Sequence, residues 1–483
     1  MTRNCRSADV ESRCDRELRH GGKSGLVKTA FMGAGIMNRR QFLKSACGTA
    51  LGAAGFPYIV PSSVLGANGA VPPSEKVVMG FIGVGSMGGG HLRTFLGYDD
   101  VQVAAVCDLR EIFRQRAVER VRRRYGGAGC KVYRDYRELL AREDIDAVTV
   151  VVPDFWHALI GVEAARNGKD MYYEKPLAMS IADGKAVRSA VNRHNVVFQF
   201  GTQQRSDDKF RFACELARNK RIGKLHTIMV GSHPSPTCPN QPNQPTPDKD
   251  EFDYDTWLGP APWAPYTYER CASRAMGTLG MWTFIHDYSL GGLGGAWGVH
   301  PVDIAQWGNG TDDTGPVEIQ GTGVIPSDGL ADTAIEWEVE HIYANGVRMV
   351  HMNTKTALKR AEQFSLHNGL GVLFLGDEGW VLVEREFIDA EPKSLLTAMI
   401  GPDEVRLPRS NNHRRNFIEC VKSRRQTICP VDTAVRSDAI CHLDDIAIRL
   451  GRKLRWDPKK EEFVNDEHAN RMLSRPMRSP WHL

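Results

Sequence analysis

The sequence predicts an α/β fold with a doubly wound parallel sheet in its N-terminal half. Between residues 77 and 200, short apolar runs alternate with helical patterns, as expected when buried parallel strands are connected by helices. Further along, apolar and polar residues alternate in segments 335–344 and 347–354, which is the period of half-buried strands. The 483 residues suffice for two or three domains of ordinary size.

The composition argues against several classes of protein. Hydrophobic residues make up 42% and charged residues 25% of the chain, as in an ordinary globular protein and unlike a disordered one. A formal net charge of +4 over this length does not predict a nucleic-acid partner. The 11 cysteines include no C-x-x-C pair, so neither a zinc ribbon nor a thioredoxin-like motif is predicted.

A twin arginine marks the segment from Met37 to Val60. Arg39 and Arg40 precede a weakly apolar run rich in Ala and Gly, the layout of a twin-arginine signal peptide. We expect the signal to occupy residues 37–70 and to direct the protein to the periplasm or otherwise out of the cytoplasm, with no membrane span after its removal. We interpret the polar residues 1–36 as a mis-called extension, with Met37 as the true start.

A glycine-rich turn follows the first predicted strand. The apolar run 77–82 leads directly into a G-x-G-x-x-G motif, and a helical pattern comes next. In this context the glycines let backbone N–H groups approach a pyrophosphate, whose charge the helix N-terminus favours. The residues of this turn predicted to bind a dinucleotide are Gly83, Gly85, Ser86, Met87 and Gly88.

Asp108 ends the next predicted strand, about 20 residues past the glycine turn. A carboxylate at this spacing bonds the adenosine ribose hydroxyls and repels a 2′-phosphate. NAD is therefore the predicted cofactor. Arg110 lies two residues further on and could pair with a 2′-phosphate, which keeps NADP possible.

The alternation of strands and helices continues to residue 201. Strands are predicted at 146–153, 170–173 and 196–200, and helices at 157–168 and 180–195. Repeated βα units build a doubly wound sheet, which binds its ligands at the carboxyl ends of the strands. We assign residues 75–201 to a Rossmann domain that binds NAD(P).

Several motifs then occur in a recognisable order. They are GFIGVGSMG (80–88), VPDFWHA (152–158), YEKPLAMS (173–180), FGTQQRS (200–206), WLGPAPW (257–263), HDYS (286–289) and WGVHPVDIAQW (297–307). On these motifs the chain from about residue 75 resembles the glucose–fructose oxidoreductase/inositol dehydrogenase/MocA (Gfo/Idh/MocA) family, in its secreted twin-arginine branch. The resemblance implies a C-terminal α/β domain over residues 202–483, whose large open, mostly antiparallel sheet builds the substrate site and the interface of a homo-oligomer (dimer or tetramer).

The resemblance also implies catalytic residues. Lys175 matches the family's lysine, which orients substrate and shares in proton transfer. His300 matches the usual general base, and a histidine's ordinary pKa suits that role. Asp303 follows three residues later and is expected to orient His300 or to bind a sugar hydroxyl. Further residues expected at the cofactor are Pro153, His157, Glu174 and Lys175 itself.

The chain departs from the family pattern at one position. The usual aspartate four residues before the histidine is replaced by Ala296, which cannot hold a hydroxyl. Asp287 or Asp303 could compensate, or the reaction could differ from plain dehydrogenation.

Other side chains near these motifs are suited to carbohydrate, because aromatic rings stack on sugars and polar groups bond hydroxyls. The predicted substrate residues are Trp156, Gln203, Arg205, Asp287 and Tyr288, with His286 as a further candidate. A metal site built from His286, Asp287, His300 and Asp303 is conceivable, but no spacing demands one and none is predicted.

The leading hypothesis is an exported NAD(P)-dependent oxidoreductase that acts on a sugar, polyol or glycoside. The periplasm holds little free NAD, so the cofactor must stay bound and be reoxidised by a second substrate, or the net reaction must be redox-neutral. The redox-neutral alternative is glycoside cleavage by oxidation and elimination, as in the family's NAD-dependent glycosidases. Because of Ala296, a catalytically weak sugar-binding module is a third hypothesis.

Overall fold

The computed structural model describes residues 71–127, 129–277, 280–364 and 369–483. The predicted extension 1–36 and signal peptide 37–70 lie outside these residues. Within the described part of the chain, no helix is both long enough and apolar enough to cross a membrane.

Six parallel strands form the first sheet. They are β1 (Val77–Ile82), β2 (Val101–Cys107), β3 (Lys131–Tyr133), β4 (Ala147–Val150), β5 (Asp170–Tyr173) and β6 (Phe198–Phe200). Their order is β3-β2-β1-β4-β5-β6, so the direction of winding reverses between β1 and β4. This arrangement confirms the predicted doubly wound sheet, in which a ligand crevice opens at that reversal.

Helices connect these strands. They are α1 (Ser86–Leu96), α2 (Glu111–Tyr125), α3 (Tyr136–Leu140), α4 (His157–Arg166) and α5 (Ile181–His194). The side chain of Ser180 accepts a hydrogen bond from the backbone N–H of Asp183 and so caps α5, as its position in the sequence predicts.

The second sheet has nine strands. They are β7 (Leu225–Ser232), β8 (Pro316–Val324), β9 (Glu336–Tyr343), β10 (Arg348–Asn353), β11 (Gly371–Gly376), β12 (Trp380–Val383), β13 (Ile388–Glu391), β14 (Leu454–Asp457) and β15 (Glu462–Phe463). The order is β13-β12-β11-β7-β10-β9-β8-β14-β15. Only β7 and β10 pair in parallel, which confirms a mostly antiparallel sheet for the described residues.

The helices of the second half are α6 (Asp208–Arg218), α7 (Tyr254–Leu258), α8 (Tyr268–Cys271), α9 (Val299–Asn309), α10 (Thr354–Arg360), α11 (His413–Ser423), α12 (Val431–Leu450) and α13 (Glu467–Arg471). The helix α9 packs against α6, α12 and the strands β7 and β11. One cluster of buried apolar side chains runs from the first sheet into the second half of the chain. The two halves therefore share a core, which fixes the groups that meet between them.

A buried polar chain anchors α12 to the second sheet. His351 on β10 lies between Ser232 of β7, with Oγ 2.8 Å from its Nε2, and Asp444 of α12, with Oδ2 2.7 Å from its Nδ1. All three side chains are fully buried. Because nothing can reach the serine hydroxyl, this arrangement of serine, histidine and aspartate holds the fold together and does not resemble a working hydrolase site.

Candidate active site

A cavity of about 570 Å³ runs across the carboxyl ends of the first sheet. The glycine turn and Asp108 line one part of it, and Glu174 and Lys175 line another. Segments of the second half complete the wall, among them residues 271–274 and 282–284, with Ala296 and Trp481. The cavity is thus continuous from the predicted adenosine end to the predicted catalytic lysine.

Glycine is required in the turn after β1. Gly83 has a φ of +81°, and a Cβ there would lie 1.9 Å from the carbonyl oxygen of Val151. A Cβ on Gly88 would lie 2.0 Å from the carbonyl oxygen of Gly83. No side chain caps the start of α1, so the N–H groups of its first turn remain available to an anion. Gly85, Ser86 and Met87 line the cavity at this point.

Asp108 connects the end of β2 to the glycine turn. Its Oδ2 accepts a hydrogen bond from the N–H of Val84 at 2.8 Å, and its Oδ1 accepts one from the N–H of Arg110 at 2.9 Å. Burial raises the pKa of this carboxyl. Each oxygen keeps a second acceptor site, so the carboxylate can also bond ribose hydroxyls.

The guanidinium of Arg110 is committed to the second half of the chain. Its Nη2 donates to the carbonyl oxygen of Cys271 at 2.8 Å, and its carbon lies 3.6 Å from the centre of the Phe252 ring. Arg110 lines the cavity, but these contacts disfavour the alternative in which it pairs with a 2′-phosphate. Through these contacts Arg110 holds Phe252 and Cys271 beside the end of the cavity that is predicted to bind adenosine.

Glu174 is buried next to Lys175, the predicted catalytic lysine. Its Oε1 accepts hydrogen bonds from Nε2 of His91 at 2.8 Å and from Nε2 of Gln203 at 2.7 Å. Burial by itself raises the pKa of Glu174, but the hydrogen bond and charge of His91 and the charge of Lys175 outweigh it and bring the pKa to about 2. Gln203, predicted to contact substrate, is therefore placed to orient this carboxylate.

Lys175 reaches across to the second half. Its Nζ donates a 2.6 Å hydrogen bond to the carbonyl oxygen of Gly295. The backbone after it is held by Asp438 of α12, whose carboxylate accepts from the N–H groups of Leu177 at 3.0 Å and Ala178 at 3.3 Å. The lysine therefore sits on a turn fixed from both halves.

His157 has a different place from the one predicted. It is 1% exposed and lies outside the cavity wall. Its ring nitrogens face the carbonyl oxygens of Pro176 and, at 3.0 Å, Val152. The prediction that His157 lines the cofactor site is corrected: it ties the turn after β4 to the turn that carries Lys175, while neighbouring Pro153 does line the cavity.

His300 lies in the first turn of α9 and is 5% exposed. Its Nδ1 is buried without a hydrogen-bond partner. Burial lowers the pKa of this imidazole well below its usual value, and the charges of Lys175 and Arg385 lower it further. The ring is therefore neutral near pH 7. His300 itself does not line the cavity, whereas Gly295 and Ala296 in the segment before it do.

Asp303 and Arg205 pair with each other instead of serving the cavity. Arg205 donates to the two carboxylate oxygens of Asp303 at 2.7 and 2.8 Å, and Ser437 donates to the same carboxylate at 2.7 Å. Asp303 is 0% and Arg205 is 2% exposed. These contacts correct two predictions, since Asp303 does not bond His300 and neither side chain is accessible to a sugar.

The remaining predicted substrate residues are also dispersed. Tyr288 is 1% exposed and packs on Phe155, so it belongs to the core. Asp287 is exposed and lies outside the cavity wall. Of this group only Trp156 lines the cavity, with its Nε1 donating to the carbonyl oxygen of Trp257 at 2.9 Å.

Asp154 was missed by the sequence analysis. It lines the cavity, is 4% exposed, and its Oδ2 has no hydrogen-bond partner. Burial raises its pKa to about 7 against the lowering effects of Ser289 and Lys175. A Cβ on Gly295 would lie 2.1 Å from that Oδ2, so this carboxyl borders the same residue as Lys175. Its carboxyl lines the same cavity as Lys175 and Ala296, and its place in the VPDFWHA motif was the available signal.

The conceivable metal set does not assemble. His286 contacts Asp445 at 3.0 Å and Arg475 at 2.7 Å, while Asp303 pairs with Arg205. Among the described residues, no three His, Cys, Asp or Glu side chains form a group that could hold a metal ion.

Two family descriptions match the chain. Residues 77–202 match the oxidoreductase family with an NAD-binding Rossmann fold, GFO_IDH_MocA. Residues 239–372 and 399–483 match the C-terminal α/β domain of the same oxidoreductase family. Together they cover more than half of the chain.

Curated relatives match over a shorter stretch. An alpha-N-acetylgalactosaminidase of Shewanella oneidensis is 32% identical over 165 residues, which is 30% of this chain and 35% of that protein. A glycosyl hydrolase family 109 protein of Shewanella sp. strain ANA-3 matches with the same identity and the same coverage. The chain thus spans about a third of the length of these relatives.

Solved structures share the fold. The aldose-aldose oxidoreductase of Caulobacter crescentus, complexed with glycerol, has a TM-score of 0.54 at 17% identity, covering 79% of this chain and 99% of that one. The WlbA dehydrogenase of Bordetella pertussis, in complex with NADH and UDP-GlcNAcA, has a TM-score of 0.56 at 16% identity with the same coverage. With the two matched domains and the dinucleotide turn in place, this chain belongs to the Gfo/Idh/MocA family of NAD-binding oxidoreductases.

Proposed function

We propose that this chain is an exported enzyme that transfers hydride between a retained NAD and a carbinol carbon of a sugar, polyol or glycoside. The observation that carries the proposal is the single cavity that joins Asp108 and the glycine turn to Lys175. An exported oxidoreductase of this kind agrees with the twin arginine at residues 39 and 40.

The residues of the cavity fit the cofactor. The glycine turn has no room for side chains at Gly83 and Gly88, and it would hold the pyrophosphate at the start of α1. Asp108 would hold the adenosine ribose, and Pro153 and Glu174 would border the nicotinamide end. When bound, NAD supplies an acceptor for the hydride of the carbinol carbon.

The chain's own groups supply the proton chemistry. Neutral His300, with Nδ1 unpartnered, accepts the proton of the substrate hydroxyl. The ammonium of Lys175 stabilises the negative charge that develops on that oxygen. Asp154 borders Gly295, to which Lys175 donates its hydrogen bond, and so positions the lysine.

Closure from the second half supports retention of the cofactor. Arg110 holds Cys271 and Phe252 at the adenosine end. At the other side, Trp481 lines the cavity and packs edge-on against Trp156, with ring centres 4.7 Å apart. A cofactor enclosed in this way leaves slowly, as an enzyme working where free NAD is scarce requires.

A second candidate is redox-neutral glycoside cleavage, and the relatives named as glycosidases favour it. Oxidation at one sugar carbon acidifies the neighbouring C–H. A base removes that proton, the glycosidic C–O bond breaks as the alcohol leaves, water adds to the alkene, and the hydride returns to the carbonyl carbon. The net reaction is hydrolysis.

Product analysis separates the two candidates. The purified full chain is incubated with pairs of free sugars and with aryl glycosides, and the products are quantified by mass spectrometry. Oxidised sugar formed in equal amount with a reduced partner supports the oxidoreductase. Released alcohol with no oxidised sugar supports cleavage. If the enzyme with bound NAD forms neither product from any substrate of the panel, the proposal fails.

A further inference from the structure

Arg385 has no counter-ion among the residues that the structure describes. It lies in the turn between β12 and β13, and its side chain is exposed. Its guanidinium carbon lies 4.4 Å from the centre of the Trp297 ring. No residue that the structure describes forms a hydrogen bond or a salt bridge with this guanidinium. Stacking on Trp297 holds the group in place and leaves its donors free.

Trp297 connects Arg385 to the candidate active site. The Trp297 ring lies edge-on to His300, with centres 5.7 Å apart, and to His233, with centres 4.9 Å apart. The guanidinium of Arg385 and the imidazole of His300 thus contact the same ring, at 4.4 Å and 5.7 Å from its centre. Arg385 is therefore one aromatic ring away from His300.

The carboxylate of Glu174 already accepts hydrogen bonds from other residues. Glu174 acts on Arg385 by its charge, but its Oε1 accepts hydrogen bonds from His91 and Gln203. Glu386, the neighbour of Arg385, also acts on it by its charge but forms no salt bridge with it among the described residues. The guanidinium of Arg385 thus presents a planar fork of N–H donors, which matches the two oxygens of a carboxylate or sulfate group.

We propose that Arg385 binds an anionic substituent on the substrate sugar, so that acidic sugars, carrying a carboxylate or a sulfate ester, are the substrate class of this site. The inference rests on the proposed function, because it places the sugar hydroxyl at Lys175 and His300. The aromatic face of Trp297 supports the guanidinium and excludes water from one side of the ion pair.

Calorimetric binding to the full chain with its cofactor tests this inference. The probes are matched pairs, namely methyl glucoside against methyl glucuronoside, methyl galactoside against methyl galacturonoside, and glucose against glucose 6-sulfate. We expect the acidic member of at least one pair to bind about tenfold or more tightly than its neutral partner, with a preference that weakens as salt rises. The uronoside and sulfate arms identify which anion is preferred.

Variants of Arg385 test whether this side chain causes the preference for the acidic sugar. Arg385→Gln should remove it while leaving NAD content and thermal stability unchanged, and Arg385→Lys should keep part of it. Arg471→Gln is the control, since that side chain is 77% exposed and does not line the cavity; it should leave the preference intact. Three results would each overturn the inference. They are equal affinity for both members of every pair, no binding of either member, and a preference for the acidic sugar that survives in Arg385→Gln. Because binding is measured without turnover, absence of hydride transfer would count against the proposed function alone.

Discussion

Nζ of Lys175 donates a 2.6 Å hydrogen bond to the carbonyl oxygen of Gly295, the residue directly before Ala296. Lys175 follows the fifth strand of the Rossmann sheet, whereas Gly295 belongs to the C-terminal half. The hydrogen bond therefore places the ammonium of one domain beside the position where the other domain lacks the family's usual carboxylate. The geometry of the reacting lysine depends on both halves of the chain.

Replacing Lys175 should abolish turnover without emptying the cofactor site. We expect Lys175→Met to lower kcat by about 10²- to 10⁴-fold, the usual contribution of a group that moves or stabilises a proton. Bound NAD, measured after denaturation, should stay at the wild-type level. Lys359→Met, at an exposed lysine, is the matched control. Unchanged turnover in Lys175→Met would contradict its catalytic role and favour a binding module.

Asp154→Asn should stabilise the protein at alkaline pH. Burial raises the pKa of this carboxyl from 3.8 to about 7, so between these values the folded protein keeps a proton that the unfolded chain releases. The free energy of unfolding therefore falls as pH rises from about 4 to about 7. The amide removes this loss, worth about 4 kcal/mol at pH 8, and has little effect at pH 4.

Chemical denaturation of Asp154→Asn at both pH values measures this effect, with Asp287→Asn, an exposed carboxylate, as the control. Turnover of Asp154→Asn should fall although stability rises, because the positioning of Lys175 is lost. A stability change of equal size at pH 4 and pH 8 would show that the carboxyl does not titrate in this range.

Asp303→Asn should destabilise the protein without a specific effect on substrate affinity. The change removes one of two carboxylates bonded to the buried guanidinium of Arg205, while Asp312 stays bonded to it at 2.8 and 3.1 Å. Loss of such a charged hydrogen-bond partner costs about 1.5–3 kcal/mol. Urea unfolding measures the loss, and KM is determined at a temperature where the variant remains folded. Lys355→Ala, which breaks an exposed pair with Glu336 at 2.7 Å, should have no measurable effect. A raised KM with unchanged stability would restore Asp303 as a substrate ligand.

Asp108 and Arg110 should affect the cofactor differently. Asp108→Ser removes the ribose acceptor and the repulsion of a 2′-phosphate, so affinity for NAD should fall about tenfold or more and the preference for NAD over NADP should shrink. Arg110→Met should keep the preference but release NAD faster, because the bond to Cys271 is lost. Stopped-flow release and equilibrium titration with both nucleotides separate the two effects. Loss of preference in Arg110→Met alone would contradict this assignment.

Local signals in the sequence predicted the Rossmann half well. The glycine turn, Asp108 and the strand before Lys175 lie within one βα series, where short-range patterns specify both the element and the end of the strand that carries the ligand.

Contacts between residues far apart in the chain could not be predicted from the sequence. The spacing from His300 to Asp303 indicates that they are near each other, but not that Arg205, 98 residues earlier, takes up the aspartate. Burial of Tyr288 and His157 follows from the packing of the two halves, which no local pattern encodes. Asp154 was overlooked for the same reason, since only the fold shows that its Oδ2 has no hydrogen-bond partner among the described residues and borders Gly295.

The nucleotide content of the protein as purified tests the central claim most directly. The full chain is isolated without added nucleotide and denatured, and the released small molecules are identified and quantified by mass spectrometry. We expect close to one NAD(H) per chain in the wild type, and less in Arg110→Met. Protein that carries no nucleotide, and that loses added NAD(H) on gel filtration, would contradict an enzyme built to retain its cofactor.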